Sequence, residues 1–290
     1  MFFAVWALLH TWLWSSVNQM NRHWQLPGER LIRWRLFMPA IVLLPITFFI
    51  PPPSDPLFWV GTLISASIVG MHDMTMYNVS AKYGAQVAFR LRPIIMPAVF
   101  IIWLIIRPEQ FDALLQNPVE AIGIIACLAA ATYFLMKLNQ CVVTKAAMLE
   151  MVPVIVAGII FEITNKMAMD HAPFPNNTIY YVFTLGCAAF LGNIAMAGKH
   201  ARAAIHDMSG IAAQGALIGF IAIFSQACKN LAMMATPNPA YVTAITLTAP
   251  FWISLYLKMR GEKEEADWVS GTGLVISIIV MTLLAAAVPH

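Results

Sequence analysis

Apolar runs of about twenty residues recur along the whole chain, separated by short polar breaks. A run of that length crosses the hydrocarbon core of a bilayer as one helix. The pattern predicts ten spans, over 2–20, 33–51, 57–79, 84–106, 119–137, 147–168, 178–198, 209–233, 239–258 and 267–288. Turn-forming residues fall between them, at Pro27-Gly28, Pro51-Pro52-Pro53, Gly84, Pro118, Pro173 with Pro175, Pro237-Asn238-Pro239 and Gly261. No polar connection is long enough to fold alone, so the expected class is an all-α polytopic membrane protein.

The pattern repeats. Trp14-Ser15-Ser16-Val17-Asn18-Gln19-Met20 echoes Phe161-Glu162-Ile163-Thr164-Asn165-Lys166-Met167: an aromatic, Asn four residues on, Met two further. Pro97 followed by Arg107-Pro108-Glu109 echoes Pro250 followed by Arg260-Gly261-Glu262. The chain therefore divides into two related halves, 1–146 and 147–290. Five spans per half is an odd number, so the second half is expected to be inverted in the membrane, as in transporters whose site lies between inverted repeats.

Composition agrees: the 290 residues are 60% hydrophobic and 11% charged, with mean hydropathy +0.73. A net charge of +3 without a dense basic run excludes nucleic acid as a partner. Cys127, Cys141, Cys187 and Cys228 share no CxxC spacing and read as packing residues. The opening run starts at Phe2 without a basic flank and reads as a span, not a cleavable signal. Lys and Arg crowd one side: Arg22, Arg30, Arg33, Arg35, Lys82, Lys137, Lys145, Lys199, Arg202, Lys258, Arg260 and Lys263. Arg107 stands on the other, with Asp55, Glu109, Asp112, Glu120 and Asp170. The positive-inside rule makes the first side cytoplasmic and points both termini outward, in a cell (inner) membrane.

Ionisable groups within the runs are the functional candidates, since each costs roughly 2.5–3.5 kcal/mol at the centre of a span. Glu162 is the foremost, and its place in the first half is Ser15. The spacing of Glu162 and Lys166 suits an i,i+4 ion pair; the alternative is a proton or cation site that couples transport. His72 and Asp73 sit across a turn from Arg90 and Arg92, so Asp73 is expected to pair with Arg90, leaving a surplus positive charge open to an anionic group. In the second half Gln226 and Thr243 hold the places of Asp73 and Arg90. Lys229 is expected to snorkel outward. His10 and Asn193 are expected to make interhelical hydrogen bonds. Pro93, Pro97 and Pro250 mark kinks or hinges. A cavity lined by the first, third, fourth, sixth, eighth and ninth helices would hold Trp14, Asn18, His72, Asp73, Arg90, Glu162, Asn165 and Tyr241. HExxH, GxSxG and a phosphate-binding glycine loop are all absent, so neither catalysis nor a metal or other cofactor is expected.

Taken with ten spans and a duplication, Trp14…Asn18, the Arg35-Leu36-Phe37-Met38-Pro39-Ala40 opening of the second helix and the two Pro…Glu segments resemble the drug/metabolite transporter superfamily, in its ten-helix EamA-type branch. The likeness covers nearly the whole chain. It implies two inverted five-helix repeats around a central cavity and transport of a small metabolite, often export. The charge count gives this chain the opposite orientation to the one usual in that family. Ala157-Gly158-Ile159-Ile160-Phe161-Glu162 also resembles the first helix of the small multidrug resistance exporters, which implies alternate binding of cations and protons at Glu162. The expected activity is secondary-active export or exchange of a small polar or amphiphilic solute, with protons or a counter-transported solute as coupling partner, in a monomer or homodimer. A lipid flippase or other lipid-handling protein is the alternative, and an intramembrane enzyme a third.

Overall fold

The computed structural model describes residues 2–25, 28–83, 91–138, 144–261 and 267–288. Pro27, Gly84, Arg90, Cys141, Glu262, Lys263 and His290 of the sequence reading lie outside the described residues, as does the side chain of Arg22. All regular structure among the described residues is helical. The helices are α1 (Phe2–Trp24), α2 (Gly28–Thr47), α3 (Pro56–Tyr83), α4 (Ile95–Ile106), α5 (Pro108–Gln116), α6 (Pro118–Leu138), α7 (Lys145–Asp170), α8 (Asn176–Ala197), α9 (Ala201–Met208), α10 (Ala212–Ala235), α11 (Pro239–Thr246), α12 (Ala249–Met259) and α13 (Trp268–Ala287).

Local chemistry sets several of these ends. Thr144, Asn238 and Asp267 each accept a hydrogen bond from a backbone N–H of the first turn of α7, α11 and α13, satisfying donors that a helix start leaves orphaned. Two helices are broken. A 3₁₀ turn at Arg92–Ile94, carrying Pro93, precedes α4. Leu247 and Thr248 separate α11 from α12 just before Pro250, whose ring removes a helical N–H. Thr248 Oγ1 there donates to the Ile245 carbonyl at 2.6 Å.

Six helical stretches among the described residues are long and apolar enough to cross a membrane: Pro56–Met76, Pro118–Leu138, Lys145–Asp170, Asn176–Ala235 (60 residues, containing α8, α9 and α10), Pro239–Met259 and Trp268–Ala287. A seventh arises if Arg92–Ile106 and Pro108–Gln116, bent by 103° to each other, count as one span. α1 and α2 fall short because they are polar. α2 begins at Gly28, not at 33 as the hydrophobic pattern predicts, and so takes in Glu29 and Arg30 besides Arg33 and Arg35.

In the packing, α3 lies against α7 and α8, α1 against α10 and α11, and α2 against α8 and α10. α4 contacts α7 and α11, while α6 and α13 pair with each other. Two contacts bring backbones together. A Cβ on Gly61 would stand 2.8 Å from the Thr164 carbonyl oxygen of α7, beside the 2.7 Å hydrogen bond between Ser65 and Thr164. A Cβ on Gly186 of α8 would stand 2.8 Å from the Leu36 carbonyl of α2. Small residues at such crossings are how apolar helices gain dispersion contact without a hydrophobic drive between them.

The helix ends form two faces. On one, called the Pro237 face, Trp103 Nε1 and Gln110 Nε2 donate to the Pro237 carbonyl at 2.9 and 2.7 Å. Tyr180 donates to the Thr47 and Ile50 carbonyls, and His171 meets Asp55 at 2.9 Å. A hydrogen bond from the backbone N–H of Leu57, and another from His171, hold the exposed Asp55 carboxyl below the usual carboxylate range. The opposite face, called the Arg260 face, carries the far ends of α1, α3, α7 and α12.

Candidate functional site: a central cavity with two buried ion pairs

A cavity of about 370 Å³ lies at the middle of the bundle. α1, α3, α7, α10, α11 and α12 line it, together with the start of α4, as the sequence suggests. α2 and α8 also contribute, through Arg35, Leu36, Val182 and Leu185.

Two ion pairs stand in its wall. Arg35 Nη1 of α2 bonds Asp73 Oδ2 of α3 at 2.6 Å, and His72 Nδ1 meets Asp73 Oδ1 at 2.9 Å. The Arg35 guanidinium also lies over the Trp14 ring, 4.3 Å from its centroid. Across the cavity Lys229 Nζ of α10 bonds Glu162 Oε1 of α7 at 2.7 Å and lies 4.7 Å from the centre of the Phe161 ring. Each cation thus has a carboxylate and an aromatic face, both of which offset its desolvation. His10 Nδ1 approaches the Ser225 carbonyl at 2.8 Å and the Ser225 hydroxyl at 2.9 Å, which ties α1 to α10. Four polar atoms buried at the wall have no hydrogen-bond partner among the described residues: Asn21 Oδ1, Glu162 Oε2, His72 Nε2 and Arg92 Nε.

Five of the eight expected site residues line the cavity: Trp14, Asn18, His72, Asp73 and Glu162. Arg90 lies outside the described residues. Asn165 and Tyr241 do not line it. Asn165 is fully buried one turn beyond Glu162, with neither side-chain polar atom bonded, and Tyr241 is enclosed by the rings of Phe3 and Phe100. Both sit toward the Pro237 face, where the helices close.

Two expected partnerships change. Glu162 pairs with Lys229, not with Lys166; Lys166 pairs with Asp170 at 2.5 Å, one turn nearer its helix end. Lys229 does not snorkel outward: it is buried, held inward by Glu162 and Phe161. Asp73 takes Arg35 and His72 as its described partners. The interhelical bonds expected of His10 and Asn193 are present, Asn193 accepting from Arg33 Nε at 3.1 Å. Arg35 and Lys229 are site residues that sequence reasoning missed, because each stands near a span end where a cation reads as an anchor.

A second, more open cleft of about 890 Å³ lies between α1 and α12, lined by Trp12, Ser15, Gln19, His23, Tyr256 and Arg260 among others. Between α7 and α4 on the Pro237 face the helices are shut. There Asp170 binds both Lys166 and, at 3.4 Å, Arg107, and Trp103 has no exposed surface.

No protein-family model matches this chain, and no curated protein sequence does. A solved structure described as "Crystal structure of protein" is similar over 99% of this chain and 99% of its own, with a TM-score of 0.66 and 11% identity. Likeness at that identity is one of fold alone.

Proposed function

We propose that this chain is a secondary-active transporter, an exporter or exchanger of a small polar or amphiphilic solute, of the drug/metabolite transporter type. It works by alternating access between two inverted five-helix repeats, 1–146 and 147–290. Its ten spans are α1, α2, α3, α4, α6, α7, α8, α10, the broken α11–α12 and α13. Both termini face away from the cytoplasm across the inner membrane.

Pairwise packing supports the duplication. Matching α1, α2, α3, α4 and α6 to α7, α8, α10, the broken α11–α12 and α13 turns the main inter-half contacts into others that are present: α3–α7 into α10–α1, α3–α8 into α10–α2, α4–α7 into α12–α1. The α2–α8 and α6–α13 contacts map onto themselves. Cavity positions match as well. The offset that takes Asn18 to Asn165 takes Thr11 to Gly158, Trp14 to Phe161 and Arg35 to Val182. The one that takes Pro97 to Pro250 takes Val69 to Ala222, His72 to Ser225, Asp73 to Gln226 and Met76 to Lys229. All fourteen of these matched residues line the cavity.

The observation that carries transport is that the two ends of this cavity differ at matched positions. Under the same offsets Gln19, His23, Tyr256 and Arg260 correspond to Lys166, Asp170, Trp103 and Arg107. The latter set is buried or bonded together on the Pro237 face. On the Arg260 face Tyr256 is 45% exposed, and the described partner of the Arg260 side chain is Tyr256 one turn back, through its hydroxyl and its ring. A protein of two equivalent halves, one closed and one parted, reaches the mirror state when they exchange conformations. Asn18 in the cavity and Asn165 buried are then the same position in two states. Glu162 is the coupling residue: a proton on its carboxylate releases Lys229, and the pair re-forms when the proton leaves.

Cysteine accessibility tests this reading. In a cysteine-free background, Asn18→Cys is expected to react with impermeant thiol reagents only from the Arg260 face, and Asn165→Cys only from the Pro237 face. Reaction of both from one face contradicts alternating access. Lipid handling is the second reading, favoured by the α1–α12 cleft and its apolar Trp12, Trp252, Ile253 and Leu255. Scrambling of fluorescent lipids by the reconstituted protein, without solute flux, would select it.

A further inference from the structure

Within the cavity wall the described cations are Arg35, Arg92 and Lys229, and the described carboxylates are Asp73 and Glu162. Asp73 is taken by Arg35 at 2.6 Å and Glu162 by Lys229 at 2.7 Å. Arg92, on the 3₁₀ turn that begins the α4 span, has no carboxylate within ion-pair distance among the described residues, and its buried Nε has no hydrogen-bond partner there. Glu162 and Asp73 act on Arg92 at longer range, but each is already paired, so the described wall carries one positive charge in excess, and the charge that relieves it is one negative charge. The neighbouring histidines are engaged locally, His10 with Ser225 and His72 with Asp73.

Two further features favour an anion there. Ala249 with Pro250 at the first turn of α12 lines the same cavity, so one helix N-terminus meets it, while the Ile95 N–H that begins α4 is taken by the Arg92 and Pro93 carbonyls. In discontinuous membrane helices those ends carry partial positive charge toward anionic substrate groups. The rest of the wall is mixed: Trp14, Leu36, Ile95, Phe161 and Leu247 give it apolar stretches, between polar Thr11, Asn18, Asn21, Gln226, Thr243 and Thr246. A cavity of about 370 Å³ is at the small end of the range for small-molecule sites.

We infer that the transported solute is a small organic monoanion, its acid group bound by the Arg92 guanidinium and its aromatic or aliphatic body lying against Trp14 and Phe161. A guanidinium offers paired donors matched to a carboxylate, which an ammonium does not. The inference rests on the reading of this cavity as the transport site.

Equilibrium binding to the full chain, purified in a non-ionic detergent, tests it. The probes are radiolabelled acetate, benzoate and phenylacetate, with benzamide and benzylamine as neutral and cationic matches. At least one carboxylate is expected to bind saturably, while benzamide and benzylamine do not. Arg92→Gln should weaken that binding about tenfold or more, and Arg92→Lys by less. The elution volume and unfolding midpoint of each variant report its folding; should Arg92→Gln fail to fold, the wild-type series decides. Saturable benzylamine or benzamide binding, no carboxylate binding, unchanged binding by folded Arg92→Gln, or displacement by phosphatidylglycerol and not by the soluble acids would each overturn the assignment. Binding that depends on Arg92 without flux in proteoliposomes would instead leave the anion assignment standing and remove the transport reading.

Discussion

Replacing Lys229 with methionine, the residue that stands at the matched position Met76, leaves the Glu162 carboxylate without its one bonded partner. Glu162 Oε1 lies 2.7 Å from Lys229 Nζ, and the side chains are 11% and 7% exposed, too little for solvent to screen the pair. At that separation and an effective dielectric of about 20, the Coulomb attraction is on the order of 5 kcal/mol. The desolvation of both ions offsets most of it, so the intact pair adds little net stability. Removing one partner keeps the desolvation and loses the attraction, at a cost of about 3–5 kcal/mol. Lys229→Met is therefore expected to destabilise the protein by that amount. Glu162→Gln should cost less, because Lys229 keeps the Phe161 ring 4.7 Å away. The double variant has no buried charge at either position and should recover most of the loss. Equilibrium unfolding in mixed micelles, run as a double-mutant cycle, measures the coupling. Additive single effects, or a Lys229→Met cost below about 1 kcal/mol, would show that the pair is wetter and weaker than its geometry implies.

Three other outcomes are expected. Asp170→Asn weakens the bonds to Lys166 and Arg107 and should raise the reactivity of Asn165→Cys from the Pro237 face severalfold; unchanged reactivity means that the latch lies elsewhere. Gly61→Ala forces a methyl toward the Thr164 carbonyl and should cost about 1–3 kcal/mol by unfolding, whereas a neutral result would mean that α3 and α7 separate easily. A reporter fused to the C-terminus should be active outside the cytoplasm, and cytoplasmic activity would reverse the assignment of faces.

How much of this was legible in the sequence depends on the range of each interaction. Hydropathy placed the helices because a bilayer-length apolar run is a local property. It misplaced the start of α2, since Glu29 and Arg30 resemble loop residues until their partners Arg33 and Asp207 are seen. Glu162 stood out because a carboxylate deep in an apolar run is costly wherever it lies. Its partner did not, because an i,i+4 neighbour is the one pairing visible within a single helix, and Lys229 comes from α10. The misses at Asn165 and Tyr241 have another cause. Under the proposed duplication Asn18 and Asn165 are one position in two conformations, which a repeated sequence cannot tell apart. The breaks before α4 and between α11 and α12 were foreshadowed by Pro93, Pro97 and Pro250, since the missing N–H is encoded in the residue itself.

Counterflow in proteoliposomes tests the central claim most directly. Vesicles holding the purified protein are preloaded with an unlabelled solute and diluted into the same solute at tracer level, using the carboxylates above alongside amino acids, nucleosides and quaternary amines. The account predicts transient uptake of tracer above equilibrium for at least one solute, pH-dependent in wild type and pH-independent in Glu162→Gln. Tracer entry no faster than in protein-free vesicles for every solute would contradict it.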